Sequence, residues 1–93
     1  MKLRDRLEHL LTIASISRRE VARLAGQASE AHVSMILRGR VGCPTQDTTE
    51  ALAGVFGVPA GWLAFGEGPD PDPAAVRAAV EAARNAAAPQ VAA

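Results

Sequence analysis

The 93-residue sequence predicts an all-α protein. Apolar residues recur at three- and four-residue steps, and no segment of adequate length alternates as a strand would. Serine or threonine precedes several of these periodic segments, and glycine follows them, as is typical of helix caps. Alanine, the residue with the highest helix propensity, is the commonest residue in the chain.

The first two predicted helices lie before residue 26. The first has one apolar stripe, formed by Leu3, Leu7, Leu10, Leu11 and Ala14. The second begins at Ser17, which forms a capping-box pattern with Glu20: the hydroxyl accepts a backbone N–H, and the carboxylate reaches back. Gly26 ends this helix, because glycine adopts the left-handed conformation at low cost.

Three further helices are predicted before residue 66. The third begins at a cap, Ser29, and ends at Gly39, with an apolar face of Val33, Ile36 and Leu37. The fourth begins at a cap, Thr45, and ends at Gly57. The fifth is brief, opens at Pro59, and contains Trp62, Leu63 and Phe65. All of these helices are short and need tertiary packing for stability.

The composition changes after residue 66. Residues 66–73 contain three prolines, two glycines and three acidic residues, which predicts a linker over 67–73 after a folded domain over 1–66. Residues 74–93 form an alanine-rich tail whose helical stripe contains only Val76 and Val80 besides alanine. Two interpretations are open: a marginal helix that frays, which we favour slightly, and a close-packed contact with a partner subunit.

Composition excludes several classes of protein. No apolar run approaches the ~20 residues that span a bilayer, and we expect no secretory signal. The single cysteine, Cys43, precludes an internal disulfide, and no cysteine–histidine spacing indicates a zinc site. Because no nucleophile–base pair or carboxylate couple is evident, we expect no enzymatic activity and no cofactor. The expected location is the cytoplasm, in association with the nucleoid.

The charge is unevenly distributed, although the net charge is zero. Residues 1–40 contain eight Lys/Arg and four Asp/Glu, a net charge of +4, whereas residues 41–93 contain two and six, a net charge of −4. A polyanion responds to local charge rather than to the average. The first 40 residues are therefore the part of the chain suited to binding nucleic acid.

Two short capped helices joined by a glycine-containing turn are typical of a helix-turn-helix. Three stretches, in this order, resemble the Cro/phage-repressor (XRE-type) family of DNA-binding domains: ISRREVARLAG (16–26), SEAHVSMILRGR (29–40) and GVPAGWLAFG (57–66). The resemblance covers about residues 3–66 and implies a five-helix lambda-repressor-like domain, here followed by the helical tail. Gly26 to Gly39 is one residue longer than usual, and we place the extra residue at Gln27–Ala28, where it would change the angle of the third helix.

The resemblance implies that the exposed face of the third helix enters the major groove. The residues then expected to contact bases are Glu30, Ala31, His32, Ser34 and Met35. Glu30 can accept from cytosine N4, His32 can donate to guanine N7 or to a phosphate, and Ala31 and Met35 can pack on thymine methyl groups. For Glu30 and His32 a simpler interpretation is equally open: a first-turn acid that favours the helix dipole, and a solvated side chain.

Phosphate contacts are expected at both ends of this element. The resemblance places Arg18, just inside the second helix, at a phosphate-binding position, and Arg38 and Arg40 flank Gly39 at the end of the third helix. The cap Ser29 is a fourth expected phosphate contact. Such contacts fix the register on DNA without reading its sequence. Four further arginines are weaker candidates, because surface charges are more often merely solvated: Arg4, Arg6, Arg19 and Arg23.

These observations predict a sequence-specific DNA-binding transcription regulator that acts as a repressor and binds a two-fold operator as a homodimer. The dimer seam is expected at apolar residues near the end of the domain and in the tail: Trp62, Leu63, Phe65, Val76 and Val80. The alternative is an antitoxin-type protein that binds a toxin partner through its tail as well as its own operator, since the same fold serves antitoxins.

Overall fold

Six α-helices build the computed structural model, which describes residues 2–26, 29–40 and 44–87 and contains no strand in those ranges. The all-α prediction is confirmed. The helices are α1 (Leu3–Ala14), α2 (Arg18–Ala25), α3 (Glu30–Leu37), α4 (Gln46–Phe56), α5 (Ala60–Phe65) and α6 (Pro73–Ala87).

The predicted amino-terminal caps of α2, α3 and α4 are confirmed. The Ser17 hydroxyl accepts the backbone N–H of Glu20 at 3.1 Å, and the Ser29 hydroxyl accepts that of His32 at 3.1 Å. Thr45 caps α4 in the same way. Each of these bonds satisfies a first-turn N–H that has no partner inside its helix, so the three helices begin at defined residues.

One apolar core lies between the helices, and all six contribute to it. Its fully buried members include Leu7 and Leu10 from α1, Val21, Val33, Leu52, Phe56, Leu63, Val76 and Val80. Burying one such side chain contributes about 1.5–3 kcal/mol, which exceeds the contribution of helix propensity at any single position. Packing against this core therefore holds the short helices in place.

The alanine-rich tail is part of the folded body as far as residue 87. Helix α6 packs against α1, α4 and α2, and both of its valines are buried. The interpretation that we favoured, a fraying helix, is therefore wrong for α6. Small residues explain the close packing, since a Cβ built on Gly57 would lie only 2.8 Å from the Cβ of Ala79. Two valines and the alanines around them are enough to pack α6 against the core, because the helix lies so close to its neighbours.

One half of the predicted capping box is wrong. The Glu20 carboxylate does not return to Ser17 but accepts a hydrogen bond of 2.6 Å from Nε of Arg84 in α6. A second guanidinium nitrogen of Arg84 lies 2.5 Å from the same oxygen. The Glu20 carboxylate can bind Arg84 because α6 packs beside α2. The residues next to Glu20 in the sequence give no sign of this packing.

The prediction of the dimer seam is wrong for four of its five residues. Trp62, Leu63, Val76 and Val80 are at most 3% exposed, and they belong to the core of a single chain. They are covered because α5 packs against α1 and α4, and α6 packs against the same two helices. Phe65 is different, with 75% of its surface exposed.

Candidate nucleic-acid interface

Helices α2 and α3 pack directly against each other and form the predicted two-helix unit. Val21 on α2 and Val33 on α3 are fully buried, and Ala22 is buried beside them. Gly26 closes α2 in the left-handed conformation, with φ of +73°, and its N–H donates to the Ala22 carbonyl at 3.1 Å. Residues 27 and 28 lie outside the described residues, so the effect of the extra turn residue stays a prediction.

The exposed face of α3 contains the residues predicted to contact bases. Val33 and Ile36 point into the core, and the opposite side of the helix is centred on Ala31 and Met35, both exposed. The other three predicted residues flank this centre: exposed Glu30 and half-buried Ser34 on one side, and half-buried His32 on the other. The five residues thus form one continuous surface.

Met35 gives this surface an apolar centre. It is 43% exposed, and it is one of only two large apolar side chains that stand out as exposed in the described ranges. A single exposed apolar residue is ordinary on a protein surface. Next to Ala31, however, it offers an apolar area suited to a thymine methyl group rather than to a polar base edge.

The amino-terminal end of α3 presents hydrogen-bond donors. The Ser29 oxygen accepts from His32, which leaves the hydroxyl proton of Ser29 able to donate to an external acceptor. The free N–H groups of the first helical turn also favour an anion at this end. The Glu30 carboxylate stands beside them, so the end combines donors with one acceptor that can discriminate between bases.

The carboxyl-terminal end of α3 is closed by a turn that fixes two arginines. Gly39 has φ of +74°, and its N–H donates to the Ile36 carbonyl at 3.0 Å. The N–H of Arg40 donates to the Met35 carbonyl, also at 3.0 Å. This pair of bonds is a Schellman motif, which ends the helix at a defined residue. Arg38 and Arg40 are both exposed on either side of Gly39.

Arg18 is exposed in the first turn of α2, directly after the Ser17 cap, and its contact with phosphate stays a prediction. Arg19 and Arg23 are exposed on the same helix, one turn apart. Together with Arg38 and Arg40 they give the two-helix unit five exposed cations.

Arg6, which we ranked among the weaker phosphate candidates, belongs to the interior. Only 6% of it is exposed, its Nε donates to the Leu63 carbonyl at 2.8 Å, and its Nη2 donates to the Ala64 carbonyl at 2.8 Å. These carbonyls are among the last of α5 and lack partners within that helix, so Arg6 caps the carboxyl end of α5. A sequence signal was available: Arg6 lies three residues after Leu3 and four before Leu10, within the apolar stripe.

Arg4 lies against the end of the recognition element. Its guanidinium rests on Gly39, in the space that a Cβ at position 39 would occupy. From the sequence, Arg4 is a weak candidate because a surface charge is more often merely solvated, and nothing local connects residue 4 to residue 39. The contact exists because α1 packs against α3.

The described residues form neither a metal site nor a membrane-spanning helix. In the part of the chain that the structure describes, no group of three or more His, Cys, Asp or Glu side chains could hold a metal ion. Cys43 lies outside those residues. No helix among the described segments combines the length and apolar character needed to cross a bilayer.

Comparison with known proteins agrees with this geometry. Residues 7–63 match a family model described as helix-turn-helix, which covers α1 to α5 almost completely. Searches among curated proteins and among solved structures gave no match. The family match covers more than half of the chain and includes the α2–α3 unit with both of its caps. The chain therefore belongs to the Cro/phage-repressor-like (XRE-type) family of helix-turn-helix DNA-binding transcription regulators.

Proposed function

We propose that the protein is a repressor that binds a two-fold operator as a homodimer, with α3 in the major groove. The observation that carries the proposal is the arrangement of α3. Its exposed side chains form one continuous surface, with the donors of Ser29 at one end and Arg38 and Arg40 at the other. A helix fits the major groove, and its ends then lie near the two phosphate strands.

In this proposal the two classes of contact have different chemistry. Arg18, Arg38, Arg40 and the Ser29 hydroxyl bind phosphates and fix the register of the helix in the groove. Base preference comes from the other residues of α3: Glu30, Ala31, His32, Ser34 and Met35. Glu30 would favour cytosine by accepting from N4, and the Ala31–Met35 pair would favour thymine.

The homodimer is supported by Phe65 and the groove beside it. Phe65 ends α5 and lines a groove of about 690 Å³ between the start of α1, the start of α4 and α5. Apolar side chains line part of this groove, including Leu3, Ala60 and Ala64. In a two-fold interface each copy offers the same patch, so each Phe65 would enter the groove of its partner.

Repression requires only that the operator be occupied. Among the described residues α6 packs onto the helix-turn-helix body rather than forming a separate effector domain. The antitoxin-type alternative, in which the tail binds a toxin, lacks comparable support because α6 uses Val76 and Val80 for its own packing. It stays a prediction.

Selection of bound fragments from random duplex DNA tests the proposal. We expect an enriched motif with two inverted half-sites whose centres are separated by about one helical turn, ~34 Å. Failure to enrich any motif, or enrichment of a single unpaired half-site by a monomer, would contradict it.

Two substitutions separate the contact classes. Arg18→Ala should weaken binding to all duplexes alike and lower the salt slope by about one, whereas Glu30→Gln should change base preference at one position of each half-site. Arg77→Ala, which removes an exposed cation from α6, is the matched control and should change neither. An Arg18 variant with the wild-type salt slope would remove Arg18 from the interface.

A further inference from the structure

Arg4 and Gly39 form a contact that the helix-turn-helix pattern does not describe. The Arg4 guanidinium occupies the place of the missing side chain of Gly39: its Cζ lies 3.3 Å, and its Cδ 3.6 Å, from the position of a built Cβ. A side chain of any size at position 39 would therefore displace the guanidinium. Glycine is favoured at position 39 for two separate reasons. A side chain there would displace the Arg4 guanidinium, and the φ of +74° disfavours other residues.

This contact brings a cation from α1 to the residue between Arg38 and Arg40. Within the ranges that the structure describes, Arg4 has no hydrogen bond or ion pair to a protein group. Arg38 and Arg40 likewise have no carboxylate partner there. Guanidinium groups keep their charge at all physiological pH values, so Arg4, Arg38 and Arg40 bring three positive charges to this end of α3, and no described carboxylate is in ion-pair contact with any of them.

A concentration of unpaired cations raises the free energy of the free protein and favours a bound polyanion. The partial negative charge at the carboxyl end of α3 offsets only part of the repulsion. Phosphate oxygens would offset more of it, because each guanidinium offers several donors in a fixed fork that matches a phosphate. A guanidinium at an ordinary surface position would be screened by solvent and could orient in any direction. The Arg4 guanidinium lies against the backbone of Gly39 instead.

We propose that Arg4 is a phosphate-binding residue, and that Gly39 is the cradle which aims its guanidinium at the DNA strand contacted by Arg38 and Arg40. The proposal rests on the proposed function, since it assigns a further residue to the same DNA interface. It extends that interface from the α2–α3 unit onto α1, the first helix of the domain. It also gives a role to Gly39, whose missing side chain leaves the space that the Arg4 guanidinium occupies.

The test compares Arg4→Gln, Arg4→Lys, Arg77→Gln and the wild type by fluorescence anisotropy on a labelled non-specific duplex over a series of salt concentrations. Arg4→Gln should weaken binding and lower the slope of log K against log salt by about one. Arg4→Lys keeps the charge and should restore most of the slope. Arg77→Gln makes the same charge change on α6 and should leave the slope unchanged.

The outcomes are distinguishable from those that test the proposed function. If the wild type fails to bind any duplex in dilute buffer, the proposed function and this inference both fail. If the wild type binds but Arg4→Gln keeps the wild-type slope, only the inference on Arg4 is overturned. A merely structural Arg4 would give that second result, together with a lower unfolding midpoint in urea for Arg4→Gln than for Arg77→Gln.

Gly39→Ala tests the cradle. It should lower the salt slope in the wild-type background but leave it unchanged in the Arg4→Gln background, because the guanidinium that it displaces is then absent. Equal reductions in both backgrounds would mean that Gly39 acts independently of Arg4 and would overturn the cradle. Should Gly39→Ala fail to fold, the comparison of Arg4→Gln with Arg4→Lys still decides whether Arg4 binds phosphate.

Discussion

Arg84 donates a hydrogen bond of 2.6 Å from its Nε to Oε1 of Glu20, which joins the last helix of the described chain to the first turn of α2. These residues are 64 positions apart. Because Glu20 lies three residues after the Ser17 cap, the ion pair holds the part of α2 that carries Arg18. Helix α6 thus supports the start of the two-helix unit from outside the segment that matches the family model, residues 7–63.

A double-mutant cycle should measure this support. Glu20→Gln, Arg84→Gln and the double variant should give a coupling free energy of about 0.2–1 kcal/mol in urea unfolding, because both side chains are partly exposed, at 28% and 36%. The cycle is needed because Arg84 also lies 3.8 Å from Glu81. High salt should reduce the coupling. A coupling of zero at low salt would show that the pair contributes nothing to stability.

Deletion of α6 tests its place in the core more severely. A chain that ends at residue 72 loses Val76 and Val80, whose burial contributes about 1.5–3 kcal/mol each. The stability of a domain this small lies near the low end of the range of about 5–15 kcal/mol. We therefore expect the shortened chain to lose most of its cooperative unfolding transition, as followed by circular dichroism.

Single substitutions on α6 provide the control for that deletion. Val80→Ala should lower the free energy of unfolding by one or more kcal/mol, roughly the transfer free energy of the two buried carbons removed plus a cavity term. Ala82→Ser changes an exposed position of the same helix and should stay within about 0.5 kcal/mol of the wild type. A stable, cooperatively folded 1–72 chain would restore the interpretation of α6 as a marginal helix that frays.

Features that depend on a few neighbouring residues were predictable from the sequence. The caps at Ser17, Ser29 and Thr45 each need only a hydroxyl and an N–H three residues later. Gly26 and Gly57 were predicted as helix ends for an equally local reason, the low cost of a positive φ. The apolar stripes then specified which faces of α1 to α4 meet in the core.

Features that depend on distant partners were not predictable in this way. Trp62 and Leu63 look like an exposed seam in the sequence, and only the packing of α5 on α1 and α4 shows that they are buried. The Glu20 carboxylate follows the capping-box pattern but prefers a guanidinium that only α6 brings near. The position of Arg4 on Gly39 likewise depends on the packing of α1 against α3.

Arg6 offers a prediction on a buried charge. Replacing it with methionine keeps much of its apolar volume but leaves the Leu63 and Ala64 carbonyls without their donors. Each unsatisfied buried acceptor costs about 1–3 kcal/mol, so the loss of both donors in Arg6→Met should lower the free energy of unfolding by about 2–6 kcal/mol. Arg23→Met, a change of the same kind at an exposed position, should have an effect below about 0.5 kcal/mol. Equal effects of the two substitutions in urea would mean that Arg6 does not cap α5.

A substitution at Phe65 can test dimerisation without disturbing the fold, because Phe65 is the one predicted seam residue that the fold leaves exposed. With 75% of its surface in solvent, Phe65→Ser should change the free energy of unfolding of the monomer by less than about 0.5 kcal/mol. It should nevertheless weaken the proposed homodimer, since each copy loses the side chain that would enter the groove of the other. Sedimentation velocity over a concentration series should show dissociation at higher protein concentrations than in the wild type. Phe65→Leu keeps an apolar side chain and should retain most of the assembly. Wild-type dimerisation by Phe65→Ser would place the interface elsewhere on the surface.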